Sequence, residues 1–270
     1  MSYANILVSV DFAEAAADRV RLAAALARRF DATLTGAAAA EVPAPLFAHD
    51  IRDAQAQYER TKAKILQELE RVEAVFARCA GAAPRTAWSG GTDRPFAHLV
   101  ERGRAADLLV VGGTAETEID PSPFGVALGP VLMEAGRPVL VVPPETSREP
   151  GRRIVVAWKD TPEARRAVSG ALPFLRSADR VFLVTIGEDA QLEGAEEVAA
   201  HLILHGAAAT THLLTATVSD GAEILRFAHE QQADLIVMGA YGHSRLQEWA
   251  FGGATRSILA ASTICCLMAH

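Results

Sequence analysis

The sequence predicts an α/β chain of two tandem domains, each a five-stranded parallel sheet flanked by helices. Three observations carry that expectation. The chain repeats itself: "ILVSVDFAEAAADRV" from Ile6 recurs as "IVVAWKDTPEARRAV" from Ile154, and "AADLLVVGG" from Ala105 recurs as "QADLIVMGA" from Gln232. Within each repeat, short runs rich in Val, Ile and Leu alternate with helical patterns, the signature of buried parallel strands joined by crossover helices. Between the repeats lies "PPETSREPGRR", Pro143 to Arg153, whose three prolines and one glycine suit a linker. The division falls near residue 148, giving domains 1–147 and 148–270.

Taken in order, the strands of the first half fall near Ile6 to Val10, Thr33 to Ala38, Arg85 to Trp88, Leu108 to Val111 and Val139 to Val142. Those of the second fall near Ile154 to Trp158, Val181 to Ile186, Thr211 to Leu214, Leu235 to Met238 and Ile264 to Leu267. Ile65, Leu69, Val72 and Phe76 recur at helical spacing and predict the buried stripe of a long helix. Two helix starts are marked. "DFAE" sets Glu14 three residues after Asp11 in capping-box fashion, and Thr161 precedes Pro162.

Composition narrows the function. The chain has 270 residues, half of them apolar, which is ample for a packed core. A net charge of −7 and the lack of a basic run argue against nucleic acid, whose phosphates are held by clustered Lys and Arg. The opening "MSYANILVSVD" lacks a charged n-region and a small-residue cleavage site. No apolar run approaches the roughly 20 residues of a membrane helix. The expectation is a cytoplasmic protein with neither nucleic acid nor membrane as partner. Cys79, Cys265 and Cys266 are odd in number, and the last two point to opposite faces of a strand, so they read as buried apolar side chains.

The segment "VMGAYGHSRLQEWAFGGATRSIL", Val237 to Leu259, carries the functional signal. Its four glycines, Gly239, Gly242, Gly252 and Gly253, follow a strand, at the end where ligands bind in open parallel sheets. Gly252 and Gly253 precede the helix start "ATRSIL", so bare backbone N–H groups and the helix dipole can hold an anion. His243, Arg245 and Arg256 add positive charge, and phosphate is the expected anion. No Gly-Lys-Ser/Thr follows, and the spacing is not G-x-G-x-x-G.

Gly239-x2-Gly242-x9-Gly252, with "ILVSVD" opening and "RPVLVVP" closing the first repeat, resembles the universal stress protein family, in its tandem form. The resemblance covers nearly the whole chain and implies two Rossmann-like domains. It implies ATP or another adenine nucleotide, with or without Mg²⁺, as ligand. Adenine would lie against Ala157, Trp158 and Lys159, near Ile186 and Met238. Ribose and phosphates would meet Gly239, Tyr241, Gly242, Gly252, Gly253, Ala254 and Thr255, with His243 in the same loop. It also implies that the last strands of the two halves meet within the chain as a pseudo-dimer, and that a homodimer can form.

Several positions depart from the family pattern. Lys159 stands where the family has an Asp, with Asp160 one residue later, and Gly253 replaces the Ser or Thr after the third glycine. The first half keeps Asp11, Gly112 and Gly125 but has Ala115 for the second glycine. Its loop carries Glu116, Glu118, Asp120, Pro121 and Pro123, which repel phosphate and reshape the turn, so this site reads as degenerate.

Other candidates have plainer readings. His201 and His205 share a helix face as a metal pair would, yet His205 precedes Gly206 and suits a helix C-terminus. Trp158 can stack on a base or pack at a strand end, and His243 can serve the loop or lie exposed in it. No catalytic or metal-binding set is evident. Three functions remain open: a stress-response protein that binds nucleotide in its second half and signals by conformation, a nucleotide-independent dimerisation or interaction module, and a slow ATPase.

Overall fold

The computed structural model describes residues 2–13, 15–113, 124–146, 148–187, 194–215, 218–242 and 253–270. In the first half, strands β1 (Asn5–Ser9), β2 (Thr33–Ala39), β3 (Arg85–Gly91), β4 (Leu108–Gly112) and β5 (Val139–Val142) alternate with helices α1 (Ala16–Phe30), α2 (Ile51–Cys79), α3 (Pro95–Gly103) and α4 (Leu128–Glu134). The second half repeats the scheme. Its strands are β6 (Arg153–Ala157), β7 (Arg180–Ile186), β8 (Ala209–Leu214), β9 (Leu235–Gly239) and β10 (Cys265–Ala269), and its helices are α5 (Pro162–Leu175), α6 (Ala195–Leu204), α7 (Asp220–Glu230) and α8 (Gly253–Ala261).

The two parallel blocks join into one sheet of ten strands in the order β3-β2-β1-β4-β5-β10-β9-β6-β7-β8. Every pairing within a half is parallel. The central pair, β5 with β10, is antiparallel, with Cys266 opposite Val141, Leu267 opposite Leu140 and Met268 opposite Val139. The last strands of the two repeats therefore meet inside one chain, as the sequence leads one to expect.

The core follows from strand alternation. Ile6, Val8 and Val10 point to one face of the sheet, where α1, α2, α5 and α6 pack, and Leu7 points to the other, covered by α3, α4, α7 and α8. Each apolar cluster draws residues from both halves. On α2, a helix of 29 residues, Ile65, Leu69, Val72 and Phe76 form the expected buried stripe. Its N-terminus is closed by Asp50, which accepts from the Asp53 N–H.

The two marked helix starts behave differently. Thr161 caps α5 by accepting from the Ala164 N–H at 3.3 Å, with Pro162 in the first turn. Asp11, by contrast, caps no helix: α1 begins at Ala16 with Ala15 as its N-cap and no side-chain bond there. The Asp11 carboxylate instead accepts from the Ala13 N–H at 2.9 Å and from the Arg19 guanidinium at 2.6 Å. The reason is burial. Arg19 is 4% exposed, and a guanidinium withdrawn from water demands an anionic partner, which outweighs a local capping bond. Glu14, the other member of the expected box, lies outside the described residues.

The segment joining the repeats is tied down. Arg29, in the last turn of α1, donates to the Pro150 carbonyl at 2.9 Å and the Ser177 hydroxyl at 2.6 Å, and pairs with Glu149 at 3.3 Å. Beside it, the Phe30 ring stacks edge-on with Phe174 of α5 at 5.1 Å.

Candidate functional site

The connections that leave β6 and β9 diverge to opposite sides of the second half's sheet, so a crevice opens beyond their carboxyl ends. That crevice is a cleft of ≈ 760 Å³. From β6 and the turn after it come Ala157, Trp158, Lys159, Thr161 and Glu163. Val184, Thr185 and Ile186 come from β7, and Met238, Gly239, Tyr241 and Gly242 from β9 and its loop. Asp220 and Ile224 belong to α7, and Gly253, Ala254 and Thr255 open α8.

The glycines differ in what they make possible. A Cβ on Gly239 would lie 2.7 Å from the Ala164 nitrogen and 2.9 Å from Glu163 Cβ, so its missing side chain lets the first turn of α5 press against β9. Among the described residues, the nearest atom to an ideal Cβ on Gly242 is Glu163 Oε2 at 3.7 Å, and Gly253 has none within 4 Å. The left-handed turn of the loop falls on Tyr241, at φ 54°, and not on Gly242. A larger residue at Gly242 would therefore not meet a left-handed backbone.

The remaining side chains set chemistry and charge. Trp158 is buried in the core, its backbone N–H bonded to the Val184 carbonyl at 2.8 Å, so it packs while one edge lines the cleft. Asp160 does not replace the missing acid at position 159: it turns away to Arg165, 2.6 Å distant. Glu163 lines the cleft instead, with its side chain 5% exposed and Oε1 3.3 Å from Arg166. Arg256 is exposed on α8 and does not line the cleft. His243, Arg245 and Gly252 lie outside the described residues.

Of the expected contacts, Ala157, Trp158, Lys159, Ile186, Met238, Gly239, Tyr241, Gly242, Gly253, Ala254 and Thr255 are brought together around this cleft. Sequence reading passed over Glu163 and Asp220. A signal existed: both sit in the first turn of a helix just after a capping residue, Thr161 and Ser219, and in this topology helix N-termini gather where strands end.

The equivalent place in the first half holds a pocket of ≈ 130 Å³ lined by Ser9, Asp11, Arg19 and Gly112 among others, but not by Gly125. Arg19 fills it. Its Nε donates to the Ser9 carbonyl at 3.0 Å, and its guanidinium lies so close to Gly112 that a Cβ there would collide with it. Ala115, Glu116, Glu118, Asp120, Pro121 and Pro123 lie outside the described residues. Elsewhere, the rings of His201 and His205 meet edge-on at 4.6 Å, with His205 at the C-cap of α6. All three cysteines are buried and free, and burial pushes the Cys265 and Cys266 thiols up to about 12.

The profile of the universal stress protein family matches residues 2–143 and again 151–270. No curated protein matches the sequence. Among solved structures, a universal stress protein from Archaeoglobus fulgidus DSM 4304 aligns at TM-score 0.68 with 15% identity, covering 97% of this chain and 94% of that one. A functionally unknown protein from Pseudomonas aeruginosa PAO1 aligns at TM-score 0.55, also with 15% identity, over 98% and 92%. A universal stress protein in complex with cAMP is 22% identical over 53% of this chain and 98% of its own, at TM-score 0.38. The likeness to the first two of these structures is likeness of fold.

Proposed function

The chain belongs to the universal stress protein family, with one family unit in each half, and from that premise we propose that its second half binds an adenine nucleotide while its first half does not. The observation that carries this reading is the open space over Gly242 and Gly253, between a loop that follows a central strand and the start of α8. Backbone N–H groups at a helix start suit a phosphate. The apolar wall of Ala157, Ile186 and Met238 suits a flat base. In the first half the corresponding pocket is much smaller, and the protein's own guanidinium, Arg19, reaches into it beside Gly112.

On this reading the units are residues 1–147 and 148–270, the protein acts in the cytoplasm, and occupancy of the second cleft is its signal in a stress response. Calorimetry with ATP, ADP and AMP, together with mass spectrometry of whatever is released on denaturation, tests it. The wild type should bind one nucleotide. Gly242→Val should abolish binding without unfolding, because its added atoms enter open space and its backbone is not left-handed. Ala115→Val, in the first half, should leave binding intact. Silence from every nucleotide, with nothing released, would move the reading to a nucleotide-independent interaction module.

A further inference from the structure

We infer that the turn from β3 into α3 carries a site for a divalent transition-metal ion of the zinc class, with His98 Nδ1 and Asp93 Oδ2 as its protein ligands. The site lies in the first half and is independent of nucleotide. Three observations support it, and the first concerns the far side of the ring. The His98 side chain is 4% exposed, and its Nε2 stands 3.0 Å from the Ser89 hydroxyl and 3.2 Å from the Ser89 carbonyl oxygen. A carbonyl only accepts, so Nε2 carries the hydrogen and, in the neutral ring, the lone pair falls on Nδ1. A backbone carbonyl on the far nitrogen is the arrangement that fixes the tautomer and orientation of a metal-bound imidazole.

The second observation is that the near nitrogen is aimed at a carboxylate. His98 Nδ1 is buried with no hydrogen-bond partner, an unfavourable state for a polar atom withdrawn from water. Asp93 Oδ2 faces it at 3.7 Å, too far for a hydrogen bond, yet an ion held about 2.1 Å from each atom fits between them at an angle a little wider than tetrahedral. The third is Gly91, which keeps the approach clear: a Cβ there would stand 2.8 Å from Nδ1 and 3.1 Å from Asp93 Oδ2. The adjacent cation, Arg94, is engaged by Glu41 at 3.2 Å. Among the described residues no group of three or more His, Cys, Asp or Glu side chains gathers as a metal cage. Water therefore completes the coordination, entering past Asp93, whose side chain is 69% exposed. One imidazole with one carboxylate suits Zn²⁺ better than Mg²⁺ or Ca²⁺, which take oxygen ligands. Bound there, the ion pins the carboxyl end of an edge strand to α3.

Titration of the full-length protein, stripped with EDTA and then dialysed, with Zn²⁺ tests this by calorimetry and by thermal melting. The wild type should take up Zn²⁺ with a Kd of about 100 μM or below, and a roughly tenfold excess over that Kd should raise the melting temperature by about 3 °C. Asp93→Asn, a change at an exposed side chain, should weaken this binding by at least about tenfold and remove the melting shift. His98→Gln should abolish both, and if that variant fails to fold, Asp93→Asn alone decides. His201→Ala breaks the exposed histidine pair of α6 and should leave the site intact. The inference is overturned if no Zn²⁺ site is this tight, if the site survives Asp93→Asn unchanged, or if it is lost with His201→Ala.

Discussion

Among the residues of the second cleft, the glycines share one sequence pattern but do different physical jobs. Gly239 is held by a neighbour and Gly253, among the described residues, by none. Gly239→Ala forces its new methyl into the backbone of α5, an overpacking that should cost about 1–3 kcal/mol. Gly253→Ala meets nothing and should change stability by less than about 1 kcal/mol. Urea titration of the two variants separates them, and equal losses would show that the α5–β9 approach is not tight. Cys265 and Cys266 make a second prediction at this scale. With both thiols pushed up to about 12 by burial, almost no thiolate exists at pH 8, and neither sulfur reaches solvent. Iodoacetamide should leave the native protein unmodified at these two positions and label them after denaturation, as intact mass would show. Rapid labelling of the folded chain would show that the two thiols are accessible after all.

At the scale of elements, α5 bears on the cleft most directly, because its first turn supplies Thr161 and Glu163 and rests on Gly239. Thr161→Ala removes the cap bond to Ala164 and should destabilise the protein by about 1 kcal/mol, lowering the melting temperature by roughly 2–4 °C. It should also weaken ligand binding if the turn carrying Glu163 loosens, so the same variant is read by melting and by titration. Elements like this were legible in the sequence because buried parallel strands are nearly continuous apolar runs and caps have chemical signatures. Legibility faded at the sheet's edges. β3 and β8 are edge strands with half-exposed faces, and their apolar pattern stops short: β3 runs on through Gly91, and β8 begins at Ala209, two residues before Thr211. The cleft was legible in outline from its glycine spacing. Its carboxylates were not, because Glu163 and Asp220 read as ordinary first-turn acids until the topology sets both helix starts over one crevice. Nor was the filling of the first pocket, since Arg19 looks like one more charged helix residue until its burial against Gly112 and Asp11 is seen.

For the whole molecule, the decisive feature is the antiparallel contact of β5 with β10. It merges two repeats into one sheet with two apolar layers, each built from both halves. Unfolding should accordingly be a single event. Tryptophan fluorescence, reporting on Trp88 of the first half and on Trp158 and Trp249 of the second, and far-ultraviolet circular dichroism should give coincident urea transitions. Two separated transitions would mean that each repeat is stable alone. The central contact also reverses direction: all strands within a half run one way, so the carboxyl ends of the two halves point oppositely, and the two pockets open toward opposite ends of the sheet. Its deepest consequence is for inheritance. Were the same sheet assembled from two identical chains, every substitution would appear twice, and a guanidinium that closed one pocket would close its twin. Because both copies lie on one chain, each can be altered without the other: Arg19 reaches into one pocket, while Ala167 stands in the matching place of its larger counterpart.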